Sequence, residues 1–177
     1  MKRRLVRHIV CPIHKTPLEL VAWETRRLTL SADELARAER MGIDPEELSE
    51  DVVHGVLLNR AQRLYYPIAQ GVPRLLPFET GVGQDFAKKH AQRLAQELPG
   101  FALPSAPAAP GEYEVLRSFS NEWVSYDWDG QSYWNLSAES WFRCMRFVLG
   151  FEQHPAKDRL VLEVGIGIGG VADNNAR

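Results

Sequence analysis

The residues best suited to chemistry stand near the end of the sequence, in Leu160-Val161-Leu162-Glu163-Val164-Gly165-Ile166-Gly167-Ile168-Gly169-Gly170. One carboxylate, Glu163, interrupts a run of aliphatic residues, and glycines follow at alternate positions. A carboxylate among apolar neighbours is costly unless it has a cationic or hydrogen-bonding partner. Glycines at that spacing let the backbone take positive φ and let a ligand approach the main chain. A second set lies near the start, where Cys11-Pro12-Ile13-His14 places a thiol and an imidazole three residues apart. That is half of a four-ligand metal knuckle, because structural zinc takes four donors.

These groups need elements to hold them. Leu160 to Val164 reads as a strand buried on both faces and feeding a tight turn. A helix after the turn would aim its free N–H groups at a ligand. Around Cys11, Leu18–Trp23 and Arg26–Leu30 read as two short strands. Ser31 with Glu34 opens a capped helix that Gly42 closes, and Asp44, Pro45 and Glu47 open another. Val52–Leu58 and Arg63–Ile68 return to strand, with Pro67 suited to an edge or a strand end. Val10, Ile13, Leu18, Leu57, Leu58, Tyr66, Ile68 and Leu75 are the expected core, with Cys11 an ordinary buried thiol. Residues 84–98 read as one amphipathic helix, its Ala87, Ala91, Leu94, Ala95 and Leu98 on one side. Four prolines between Pro99 and Gly111 predict an extended linker unable to pair. Ten aromatic residues crowd Phe119 to Phe151, and a helix is expected from about Ala138 to Leu149. Asp127 and Asp129 between the rings read as a turn pair.

Two resemblances follow from these motifs. Gly165, Gly167 and Gly170 fit the G-x-G-x-x-G dinucleotide fingerprint, but Glu163 with Gly165, Gly167 and Gly169 more closely resembles motif I of the class I S-adenosylmethionine (SAM) methyltransferases. That resemblance implies a Rossmann-like α/β domain, with the acidic residue near the methionine amino group and the glycines beneath the cofactor. Ser118-Phe-Ser-Asn-Glu-Trp123 also resembles the F-x-x-[EQ]-W stretch before motif I in bacterial methyltransferases. Cys11-Pro12, Gly55-Val-Leu-Leu58 and Tyr66-Pro-Ile-Ala-Gln-Gly-Val-Pro-Arg-Leu-Leu76 resemble a small zinc-ribbon family. Its members activate tRNA and protein methyltransferases or begin bacterial SAM methyltransferases. The family's second cysteine pair falls on Asn59 and Gln62 here, and amides are poor zinc ligands. With only His8 and His54 left to recruit, a metal-depleted ribbon without zinc is expected.

The resulting expectation is an α+β chain in three parts. Residues 1–80 form a ribbon-like β domain with a helical insert, 81–111 a connector helix and linker, and 112–177 the N-terminal helices and first strand of a truncated Rossmann-like methyltransferase domain. The resemblance implies methyl transfer from SAM to a small-molecule acceptor. The rival reading is a non-catalytic module that docks on and activates a separate methyltransferase. A second copy of the chain or such an enzyme is the expected partner. The acid that holds the cofactor ribose would fall about 20 residues beyond the loop. The isolated chain is therefore expected to bind SAM weakly or not at all.

Composition sets the outer bounds. The chain has 177 residues, 45% hydrophobic and 25% charged, with a formal charge of −2. That is ordinary globular composition and argues against a nucleic-acid partner. Lys2, Arg3, Arg4 and Arg7 are offset by the acids between Asp33 and Asp51, and both runs read as solvated faces. Nothing approaches the roughly 18 uninterrupted apolar residues of a membrane span. Cys11 and Cys144 are too far apart in sequence to suggest a disulfide framework, and a reducing cytoplasm is expected.

Overall fold

A four-stranded antiparallel sheet, covered on both faces, is the frame of the first of two units. The computed structural model describes residues 1–125 and 137–148. The chain divides into Met1–Ala109 and Pro110–Arg177. In the first unit the sheet order is β1 (Glu19–Arg27), β2 (Glu50–Asn59), β3 (Leu64–Ala69) and β4 (Val72–Pro73). The mixed α+β class expected from the sequence is what forms.

The local signals explain most elements. The two strands expected at 18–23 and 26–30 are one, β1, whose register shifts between Ala22 and Thr25 leave Trp23 unpaired and keep the other eight residues on β2. Close pairing there requires Gly55, since a Cβ would lie 2.5 Å from the Val21 carbonyl oxygen. The insert between β1 and β2 holds α1 (Ala32–Arg40) and α2 (Pro45–Ser49). Ser31 and Glu34 close the capping box on α1. Asp44 caps α2 by accepting from the Glu46 N–H, while Glu47 turns instead to Arg7. Gln70 and Gly71, with φ of 52° and 79°, join β3 to β4 in a two-residue turn.

β2 is buried from both sides; from Gly55 onward its two-residue period divides the core, and the register shift between His54 and Val52 brings Val52 to the same side as Leu57. Leu57, with Val52, Tyr66, Ile68, Cys11 and Leu18, faces one way, against Val6 and Ile9 of the N-terminal segment. That segment includes a 3₁₀ helix, Arg3–His8. Its basic residues pair with acids of the insert and β2: Lys2 with Asp51, Arg3 with Glu50 and Arg7 with Glu47. Exposed pairs of this kind are each worth about 0–1 kcal/mol. Val10 and Ile13, expected in the core, are instead exposed, because the Cys11 turn points only its thiol inward.

Val56 and Leu58, with Tyr65, face the other way, against Phe86 and Leu98. Residues 81–103 therefore supply the second layer, where a connector and linker were expected. The single helix expected at 84–98 is two, α3 (Gly81–Lys89) and α4 (Ala91–Glu97), broken at His90. The proline-rich stretch does pair. Ala102, which is not a proline, donates to the Arg63 carbonyl at 2.9 Å and accepts from the Tyr65 N–H at 2.9 Å.

The second unit holds α5 (Glu112–Ser125) and α6 (Ala138–Val148) among the described residues. Ser118 to Trp123 is thus helical, and the helix expected near 138–149 forms. Asp127, Asp129 and the strand expected at Leu160–Val164 lie outside the described residues. No helix among the described residues is long and apolar enough to cross a membrane.

Candidate functional site

Two turns of matching construction face each other at one end of the sheet. The first runs from Cys11 to Lys15 and the second from Asn59 to Arg63. In the first, Cys11 Sγ accepts the His14 backbone N–H at 3.4 Å; in the second, Asn59 Oδ1 accepts the Gln62 N–H at 3.2 Å. Each turn ends on a non-glycine residue in the left-handed region, Lys15 at φ 56° and Arg63 at φ 50°. Such conformations are uncommon for side chains with a Cβ and persist only where the surroundings impose them. The repeated i, i+3 bond and the repeated left-handed residue make the turns structural equivalents. Cys11 thus corresponds to Asn59 and His14 to Gln62.

The inner residues converge on the Cys11 sulfur. Tyr66, on β3, brings its hydroxyl to 3.1 Å, and His14 Nδ1 lies at 3.5 Å. Asn59 also hydrogen-bonds the thiol, and its Nδ2 donates to Thr16 Oγ1 at 3.2 Å. Cys11, Tyr66 and Asn59 are buried, while His14 is exposed. Burial alone would push the thiol up. The donors from Tyr66, the His14 backbone, Asn59 and the His14 ring outweigh it and bring Cys11 down to about 6. Burial and the neighbouring sulfur push the Tyr66 hydroxyl the other way, so it stays a proton donor. Cys11 thus sits in surroundings that favour its thiolate, beyond the ordinary buried thiol expected from the sequence.

A structural zinc site needs four good donors. Only Cys11 and His14 are good ligands at the two turns, and Asn59 already uses its amide on Thr16 and the Gln62 N–H. His54, a possible recruit, is paired with Glu24 at 2.8 Å through Nδ1. Among the described residues no group of three or more His, Cys, Asp or Glu could hold a metal ion. The hydrogen bonds of Tyr66 and Asn59 satisfy the sulfur where a cation otherwise would.

The sequence pointed to Cys11, His14, Asn59 and Gln62, and the structure brings the first three together. Gln62 contributes its backbone N–H. Tyr66 was read as core and as the start of the ribbon-family block, and nothing in the sequence set its hydroxyl apart from that of Tyr65 beside it. Glu163, Gly165, Gly167 and Gly169 lie outside the described residues. Cys144 is exposed on α6. No protein-family model matches the chain, and no curated protein matches it.

Proposed function

We propose that this chain belongs to a SAM-dependent methyl-transfer system, with Met1–Ala109 as a metal-free ribbon-type domain and residues 160–170 as the wall of the cofactor site. The observation that carries this reading is the sequence Leu-Val-Leu-Glu163-Val-Gly165-Ile-Gly167-Ile-Gly169-Gly. A SAM ammonium is a partner for an acid in an apolar strand, and a glycine turn gives the methionine moiety access to the backbone. The paired turns at Cys11 and Asn59 support the ribbon half of the reading, because they repeat a ligand-bearing turn after the ligands have changed. In this role Glu163 holds the cofactor amino group, and Gly165, Gly167 and Gly169 line its methionine end. The methyl group of SAM is already activated, so the protein's contribution is to hold a small-molecule acceptor in line with it.

Photo-crosslinking of SAM to the full chain at high ligand concentration tests the reading. The adduct is expected on the peptide that contains residues 160–170, and Gly167→Val should abolish it. An adduct that maps elsewhere, or one that Gly167→Val leaves unchanged, overturns the assignment. One observation favours the second reading, a module that docks on a separate methyltransferase: Val10 and Ile13 are apolar yet exposed on the first turn. In that case Val10→Asp with Ile13→Asp weakens the complex with the enzyme, and no SAM adduct forms on the isolated chain.

A further inference from the structure

His90 stands at the one residue that separates α3 from α4. Its φ of −109° and ψ of 18° lie outside the helical region. Its ring is wedged among aromatic neighbours, with Phe86 at 4.5 Å and Trp23 at 5.1 Å between centroids. Trp23, from β1, stacks on Phe86, donates its Nε1–H to Glu97 at 3.0 Å and carries Arg93 over its ring. One indole thus fastens both helices to the sheet, with His90 at the centre of the contact. His90 Nε2 is enclosed and has no hydrogen-bond partner. A buried polar atom without a partner calls for a physical reason.

The charged groups around the ring supply one. Lys89 on α3, Arg93 on α4 and His54 on β2 all act against a positive charge at His90, and only Glu24 on β1 favours it. Glu97, the remaining acid at this contact, is occupied by Arg93 and Trp23. The His54 ring lies 6.1 Å from His90 and is joined through Nδ1 to Glu24. In the neutral tautomer with its proton on Nδ1, Nε2 is an acceptor that forgoes one bond. Once protonated, it becomes an enclosed N–H with no acceptor, among cations.

We propose that His90, facing His54 beside the Trp23 ring, makes the α3–α4 elbow a pH-responsive clasp that opens when the His90 imidazole takes up a proton. Burial first, then Lys89, His54 and Arg93, hold His90 below its ordinary value near 6.5. The unfolded or opened elbow then binds protons more readily than the closed one. The closed form is therefore fully favoured above about 6.5 and loses ground as pH falls below it. Opening would expose the face made by Val56, Leu58 and Tyr65, and would loosen the Ala102 contact that follows α4.

Hydrogen exchange of the full chain, corrected for the intrinsic rate at each pH, tests this. Between pH 7.5 and 5.5 the α4 amides, Leu94 among them, and the Leu98 amide that caps the helix should lose several-fold protection relative to β2 and β3. His90→Phe, which keeps a ring but cannot titrate, should remove that difference. Equal protection of α4 at both pH values, or an unchanged loss in His90→Phe, overturns the proposal. Imidazole proton NMR of the unmutated chain gives a test that needs no variant. A His90 midpoint below 6.5 is expected, and one at or above 6.5 overturns it.

Discussion

At the scale of single residues, Cys11 departs furthest from its expected character. A thiol with no exposed surface would ordinarily resist ionisation, yet four hydrogen-bond donors make the thiolate the stable form near neutrality. This has a consequence for stability. The folded thiol titrates at about 6 against an ordinary 9.0, so between those values the unfolded chain holds more protons. Stability from Cys11 is complete above 9.0 and is lost as pH falls through about 6. Urea denaturation in a Cys144→Ser background should show stability rising from pH 6 to 9, and Cys11→Ser should remove that part of the slope. Thiolate absorbance near 240 nm gives a second check. Tyr66→Phe should move its midpoint upward, since the hydroxyl is the strongest of the favourable partners; an unmoved midpoint would show that Tyr66 does not hold the charge.

At the scale of elements, the two matched turns lead to a prediction about metals. Because Asn59 and Gln62 occupy the same places in their turn as Cys11 and His14 in theirs, Asn59→Cys with Gln62→Cys should complete a four-donor set. The double variant is expected to hold about one zinc per chain by elemental analysis, and the parent chain far less. A parent that binds zinc equally well would show that the amides are not what excludes it. The β3–β4 turn is a second test. Gly71 has φ +79°, and a Cβ there would meet the Met1 backbone nitrogen at 3.1 Å. Gly71→Val should destabilise the first unit by about 1–3 kcal/mol through left-handed strain alone, read as a lower urea midpoint.

At the scale of the whole molecule, the first unit is complete only when its second layer is included. Val56, Leu58 and Tyr65 are covered by Phe86 and Leu98. Full burial of two such side chains contributes roughly 3–6 kcal/mol, a large share of the about 5–15 kcal/mol that holds a domain folded. A fragment ending at Ala109 is therefore expected to unfold cooperatively in urea, and one ending at Thr80 to show no cooperative transition. Equal stability of the two fragments would mean that α3 and α4 are dispensable decoration on the sheet.

The sequence determined by itself whatever depends on near neighbours. Ser31 and Glu34 cap a helix because a side chain reaches a backbone N–H three residues away. Asp44 starts another, ahead of Pro45, by reaching the N–H two residues on. The positions of Cys11, His14, Asn59 and Gln62 were legible as motif spacing, and so was the strand content of Val52–Leu58. Tertiary structure alone decided what those residues do, because the partners are distant in the chain. Tyr66 reaches Cys11 across 55 positions, and Trp23 reaches Glu97 across 74. The α3–α4 break was hidden for a related reason. Ala87, Ala91, Leu94 and Leu98 keep a helical period through His90, and periodicity does not register the single turn at which the backbone bends around the Trp23 ring. Likewise, proline content announced an extended stretch after Leu98. Only the free edge beside Tyr65 and Arg63 determined that Ala102 would pair there.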